Sequence, residues 1–201
     1  SVQSGFFDNP FNLVLSSTDA SLQITYTLDG SNPQNSTTGF SSDQPVTIMI
    51  DPENTTGRPS TPSVIVRASV SKPGYKPAIS TSRTYVFADR VRTQKWPGGG
   101  WPSTDINGQL IDLEMDADVV NNPVYSGQII SSLMSIPSIS IITDLKNLFN
   151  PASGIYVNAQ GHGLEWEREC SAELINPDGT PGFNVNAGLR IRGGWSRNDD
   201  F

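Results

Sequence analysis

The sequence predicts a mainly β chain: a β-sandwich followed by a smaller α+β segment. Three observations predict it. Apolar residues recur at every second position in several short runs, the pattern of half-buried strands. Turn formers separate the runs, with 18 Gly and 15 Pro among 201 residues. Charged residues are only 16% of the chain, which favours short elements over long solvated helices. A hydrophobic content of 35%, in ordered alternation, suffices for a packed core, and the length suits one large domain or two small ones.

The first strands are read in order. Phe11, Leu13 and Leu15 alternate with Asn12 and Val14. Ile24, Tyr26 and Leu28 alternate with Thr25 and Thr27, then meet Asp29-Gly30, a strand entering a tight turn. Gln44-Pro45 leads into Val46–Ile50. Val64, Val66, Ala68 and Val70 alternate with Ile65, Arg67 and Ser69. Lys72-Pro73-Gly74-Tyr75 is a turn, and Thr84–Phe87 closes the set. Residues 1–88 are enough to bury a core of their own and form the sandwich. Asp29 reads as a cap on its own turn, with a ligand role as the alternative. Tyr26, Tyr75 and Phe87 read as core or sheet-face packing, with a sugar platform as the alternative.

Composition shifts at Asp89. Trp96-Pro97-Gly98-Gly99-Gly100-Trp101-Pro102 continues neither strand nor helix, so 89–111 reads as a linker whose two indoles cover the junction. Residues 112–201 are the α+β segment. Asp112, Glu114, Asp116 and Asp118 alternate along the chain. Hard cations take several oxygen ligands, which makes these four the candidates for Ca²⁺. Their spacing is not that of an EF-hand, and a helix start favoured by negative charge is the alternative. Ile129, Ile130, Leu133 and Met134 fall at helical spacing, ended by Ile136-Pro137. Ser138–Ile142 is a strand, and Thr143-Asp144 caps a short helix with Leu145, Leu148 and Phe149. Glu169, Ser171 and Glu173 alternate with Cys170, Ala172 and Leu174, a half-buried strand with an inward, inert Cys170. Asn176-Pro177-Asp178-Gly179 is a hairpin turn. Val185, Ala187, Leu189 and Ile191 form the last strand, with Arg190 and Arg192 on one of its faces.

Several function classes are excluded on this basis. A net charge of −7 repels phosphate backbones, which argues against nucleic acid. No apolar run approaches the ~20 residues of a membrane span. One cysteine allows no internal disulfide. The opening Ser1-Val2-Gln3 carries no basic-then-apolar signal region. The Thr/Asn/Ser-rich, low-charge composition reads as extracellular or cell-surface, and Asn35 and Asn54 stand in glycosylation-type triplets. The sole histidine, His162, lies between glycines and reads as exposed, and no Gly-x-Ser-x-Gly occurs. Glu165, Glu167 and Glu169 read as a solvated edge rather than a glycosidase pair.

Two resemblances sharpen this reading. The string Ile24-Thr25-Tyr26-Thr27-Leu28-Asp29-Gly30-Ser31-Asn32-Pro33, then Arg67-Ala68, Lys72-Pro73-Gly74-Tyr75 and Thr84-Tyr85-Val86-Phe87, resembles the chitobiase/β-hexosaminidase C-terminal domain family over most of residues 5–88. That resemblance implies a small, non-catalytic immunoglobulin-like module of secreted or surface proteins. Leu113-Glu114-Met115-Asp116, Ile136–Ile141, Gly154-Ile155-Tyr156, Trp166-Glu167-Arg168, Ala172-Glu173-Leu174 and Asn186–Arg197 are together similar to the N-terminal region of CotH-type protein kinases, over about residues 105–201. In many secreted bacterial relatives the chitobiase-type module precedes that region, as it does here.

The second resemblance makes Gly193-Gly194-Trp195-Ser196-Arg197 the candidate loop over a nucleotide's phosphates. Arg190, Arg192, Gly193, Gly194, Ser196 and Arg197 are then the phosphate-binding candidates. The lysine strand and metal-binding acids that the family pattern places further on lie outside these 201 residues, and Trp195 stands where relatives carry a smaller residue. ATP and Mg²⁺ are therefore expected only with a complete parent kinase domain, and no catalytic residue is assigned. The resulting expectation is a non-catalytic extracellular or cell-surface module that binds protein or polysaccharide, the front fragment of a CotH-kinase-like protein. The alternatives are a nucleotide-binding piece of an atypical secreted kinase, and a subunit of an extracellular fibre that assembles through an open strand edge at Leu189–Arg192.

Overall fold

The computed structural model describes residues 2–43 and 45–197, apart from the Ser196 side chain. Ser1, Gln44 and Asn198–Phe201 lie outside the described residues. The first strands are β1 (Gly5–Phe6), β2 (Phe11–Leu15), β3 (Gln23–Thr27), β4 (Phe40–Ser42), β5 (Val46–Ile50), β6 (Ser63–Ser71) and β7 (Thr81–Val86). They make a five-stranded sheet in the order β1-β7-β6-β3-β4 and a separate β2-β5 pair. Among the described residues of the five-stranded sheet, only β1 runs parallel to its neighbour, β7.

The alternation visible in the sequence sets the core. Leu13 from β2, Ile48 and Ile50 from β5, Val64 and Val66 from β6, Tyr85 from β7 and Phe87 close one buried cluster between the two sheets. Phe7 and Phe11 stand edge-on to the Tyr85 ring, with centroids 5.6 and 5.3 Å away. Such edge-to-face pairs add to the burial of area. The Tyr85 hydroxyl donates to the Val2 carbonyl at 3.1 Å. Burial pushes the Tyr85 pKa up to about 12 from 10.0. A folded-state pKa above the unfolded one gives stability that is complete below about pH 10 and lost as pH rises toward about 12. The Tyr85 tyrosinate band is therefore expected to appear together with loss of near-UV circular dichroism. Its appearance in a protein that stays folded would contradict this account.

The second segment holds α1 (Ala88–Val91), β8 (Asp105–Ile106), β9 (Gln109–Leu110), α2 (Ala117–Val120), α3 (Ile129–Leu133), β10 (Ser138–Ile142), α4 (Leu145–Phe149), β11 (Arg168–Ile175) and β12 (Asn184–Leu189). Strands β10, β11 and β12 form an antiparallel sheet in that order, and β8-β9 is a minimal hairpin. The stretch 89–111 thus carries most of a one-turn helix and a hairpin. Its two indoles differ in role. Trp101 packs on the Phe149 ring at 5.7 Å, while Trp96 is half exposed and donates its Nε1–H to the carbonyls of Trp101 and Pro102.

The chain is mainly β, a sandwich with a small α+β segment, as the sequence predicts. Three local expectations are corrected. The last strand stops at Leu189, so Arg190, Ile191 and Arg192 do not continue it. The reason is length: β11 begins at Arg168, which pairs with Leu189, and leaves no partner for residue 190. Tyr75 does not pack; it is 74% exposed at the tip of its turn. Asp144 precedes α4 as expected but caps none of its N–H groups, because its carboxylate is engaged elsewhere.

Candidate functional site

Strand β6 is central in its sheet and buried on both faces. Val64 and Val66 face the sandwich core, while Arg67 and Ser69 point the other way. That other face carries Ser82 and Thr84 from β7, and the β10-β11-β12 sheet covers it. The joint between the sheets is polar. Thr84 and Ser140 hydroxyls meet at 2.7 Å, Asn184 donates to the Ser82 carbonyl at 2.8 Å, and Asn186 donates to the Ser80 carbonyl at 3.1 Å.

Arg67 anchors this seam. It is 2% exposed and donates through Nη1 to the Gly30 carbonyl at 2.9 Å and through Nη2 to Ser80 Oγ at 3.3 Å. Asp144 and Glu169 each lie 3.8 Å from the guanidinium. Gly30 presents its carbonyl from a backbone with φ of 82°, which a side chain would strain. Asn32 binds the same two carboxylates: its backbone N–H donates to Asp144 at 2.6 Å and its amide to Glu169 at 2.9 Å. The Asp29 turn holds this loop, since Asp29 accepts from the Ser31 N–H and hydroxyl as a cap.

Glu173 lies further along the seam, with its side chain 5% exposed. Its Oε1 accepts from Asn184 at 2.9 Å, and the Arg83 guanidinium is 3.9 Å away. Glu173, Arg83, Asn184, Gln3 and Ser4 line a cleft of about 300 Å³ beside the seam. Arg67 Nε, Ser82 Oγ, Ser171 Oγ and Glu173 Oε2 are buried with no hydrogen-bond partner among the described residues. Groups of this kind are where ordered water completes the bonding of a native interior.

The residues singled out in the sequence fall elsewhere. Asp112 and Asp116 each accept the N–H two residues on, from Glu114 and Asp118, and Glu114 pairs with Lys95 at 2.7 Å. Asp116 thereby caps α2. Among the described residues, no group of three or more metal-ligating side chains could hold an ion. Arg190 pairs with Glu167 at 3.3 Å. Arg192, Gly193 and Gly194 are exposed, and a Cβ on Gly194 would meet nothing within 4 Å. Arg197 gives its carbonyl to Gln160. Ser196 lies in a short 3-10 turn, and its side chain is outside the described residues.

His162 is exposed, as expected. Cys170 is buried, and desolvation pushes its thiol pKa up. A disulfide-exchange reagent is expected to leave Cys170 unlabelled in the native protein and to label it fully in urea. Rapid native labelling would contradict its burial. Glu165, Glu167 and Glu169 are exposed, in line with a solvated edge, and both carboxylate oxygens of Glu169 also accept from the Asn32 amide nitrogen. Sequence reasoning did not assign Asn32, Arg67, Asp144 or Glu173 to a joint. A signal was present for two of them, because Asn32 and Arg67 stand inside the motifs that carry the first resemblance.

Residues 2–58 match the family model of the chitobiase/beta-hexosaminidase C-terminal domain. The match takes in β1 to β5 and the Asn32 loop, and stops before β6. It agrees with an immunoglobulin-like front module. No curated protein and no solved structure matches the chain. Among the described residues, no helix is long and apolar enough to cross a membrane.

Proposed function

We propose that the chain is a non-catalytic extracellular binding module whose partner is cell-surface polysaccharide, and that it is the front part of a CotH-kinase-like protein. The observation that carries the binding reading is the family match over residues 2–58. The exposed Tyr75 ring supports it, since a solvent-facing aromatic is what stacks on a sugar ring. The kinase kinship rests on the ordered motifs between residues 105 and 201.

Co-sedimentation with insoluble cellulose and chitin tests the binding reading. Depletion of the protein from the supernatant, reduced in Tyr75→Ala, is expected; no depletion by either polymer would overturn it. Calorimetry with Mg-ATP tests the non-catalytic part. No saturable heat is expected, because Arg190 is already paired with Glu167 and the glycine loop lies open to solvent. Saturable binding would favour the nucleotide-binding reading.

A further inference from the structure

The sandwich-facing side of the β10-β11-β12 sheet carries Ser140, Ser171, Glu173 and Asn184, joined by the buried Ile142 and Ile175. Its other side is apolar, with Cys170 buried and several larger side chains exposed to water. Pairing of Ile139 with Leu174, Ile141 with Ala172 and Cys170 with Ala187 puts these side chains on one face. Val185 pairs with Ala172, and the Leu174 N–H donates to the Phe183 carbonyl, which extends the face across β12. Ile139 is 63% exposed, Ile141 52%, Val185 47% and Phe183 46%. From Cys170 onward these strands place no charged side chain on this face.

We propose that two copies of the chain pack these apolar faces together about a two-fold axis. The exposed part of the face amounts to roughly 500 Å², at the upper end of the largest patch on a typical monomer. Two such faces bury about 1,000 Å² together, the threshold for a specific, weak interface. Charge points to the same occupant. The chain carries −7, so copies repel when charged surfaces approach, and this face brings no like charges together. A two-fold contact sets identical patches opposite each other, and a flat, uncharged apolar face is complementary to itself. Packing of two sheets face to face at ~10 Å is an ordinary arrangement. The inference is independent of the polysaccharide reading.

Sedimentation velocity of the whole chain tests it, from about 1 to about 300 micromolar, where an interface of this size dissociates. The wild type is expected to move toward twice its monomer mass as concentration rises. Val185→Lys and Ile141→Lys, on different strands and at exposed positions, are expected to raise the dissociation constant by about a hundredfold or more, with unchanged far-UV circular dichroism. A wild type that stays monomeric throughout overturns the proposal; if it also binds a hydrophobic dye, the face serves another occupant. A dimer that survives both substitutions overturns it too, and places the contact elsewhere, such as the free edge of β12.

Discussion

Arg67→Ala is expected to destabilise the fold by about 3–5 kcal/mol, the usual cost of breaking a buried charge cluster by removing one partner. The guanidinium is the only cation set between Gly30, Ser80, Asp144 and Glu169 among the described contacts. Alanine leaves the Gly30 carbonyl without its donor and Asp144, 13% exposed, without its buried counter-charge. Lys146 reaches Asp144 at 3.1 Å from the solvent side and offsets part of the loss. Glu169, 55% exposed, contributes less because water screens it. Urea denaturation followed by tryptophan fluorescence measures the effect. A loss under about 1 kcal/mol would mean that the seam does not depend on this residue. Combining Arg67→Met with Asp144→Asn is expected to recover part of the loss, since the double change removes the unpaired charge along with its partner.

Phe87→Ala is expected to cost about 3–5 kcal/mol by a different route, cavity formation in a close-packed core. Phe87 is buried among Leu13, Ile50, Val64 and Tyr85, and its ring centroid lies 6.5 Å from that of Phe7. Its backbone N–H donates to the Pro62 carbonyl at 3.1 Å, which holds the chain in place where β7 gives way to α1. With the backbone so fixed, the neighbours cannot collapse fully into the space of the ring. Phe87→Leu keeps most of the volume and is expected to cost under about 1.5 kcal/mol. Tyr75→Ala, at an exposed turn, is expected to stay within about 0.5 kcal/mol of wild type. Equal losses for Phe87→Ala and Tyr75→Ala would contradict the packing described.

The sandwich was legible because alternation is local. Leu13, Ile48, Ile50 and Val64 announce which face of each strand is apolar. Alternation does not say what lies over the opposite face. Arg67 and Glu173 were read correctly as facing away from their apolar neighbours, yet each is buried because a second sheet lies there. Asn32 and Asp144 meet across 112 positions of sequence, and no local pattern encodes such a meeting. The last strand was read too long for a related reason. Whether residues 190–192 continue a strand depends on where β11 begins, and that start is set by the turn before Arg168. Turn chemistry was better read, as at Asp29, where the side chain bonds its own neighbours.

The polar seam also bears on the order in which a nascent chain can acquire structure. Every strand of the sandwich has been synthesised by Val86, well before β10 begins at Ser138. The face awaiting β11 is mainly polar, with Arg67, Ser69, Ser82 and Thr84, groups that water hydrates in the meantime, around the apolar Ile65. The emerging front module therefore offers little sticky surface on that side while the ribosome completes the rest. Docking of the later sheet exchanges bound water for directed bonds, and a misplaced register would leave those bonds unmade. On this view the seam acts as a proofreading surface for the second half of the chain, and the exposed apolar side arises only at the last stage of synthesis.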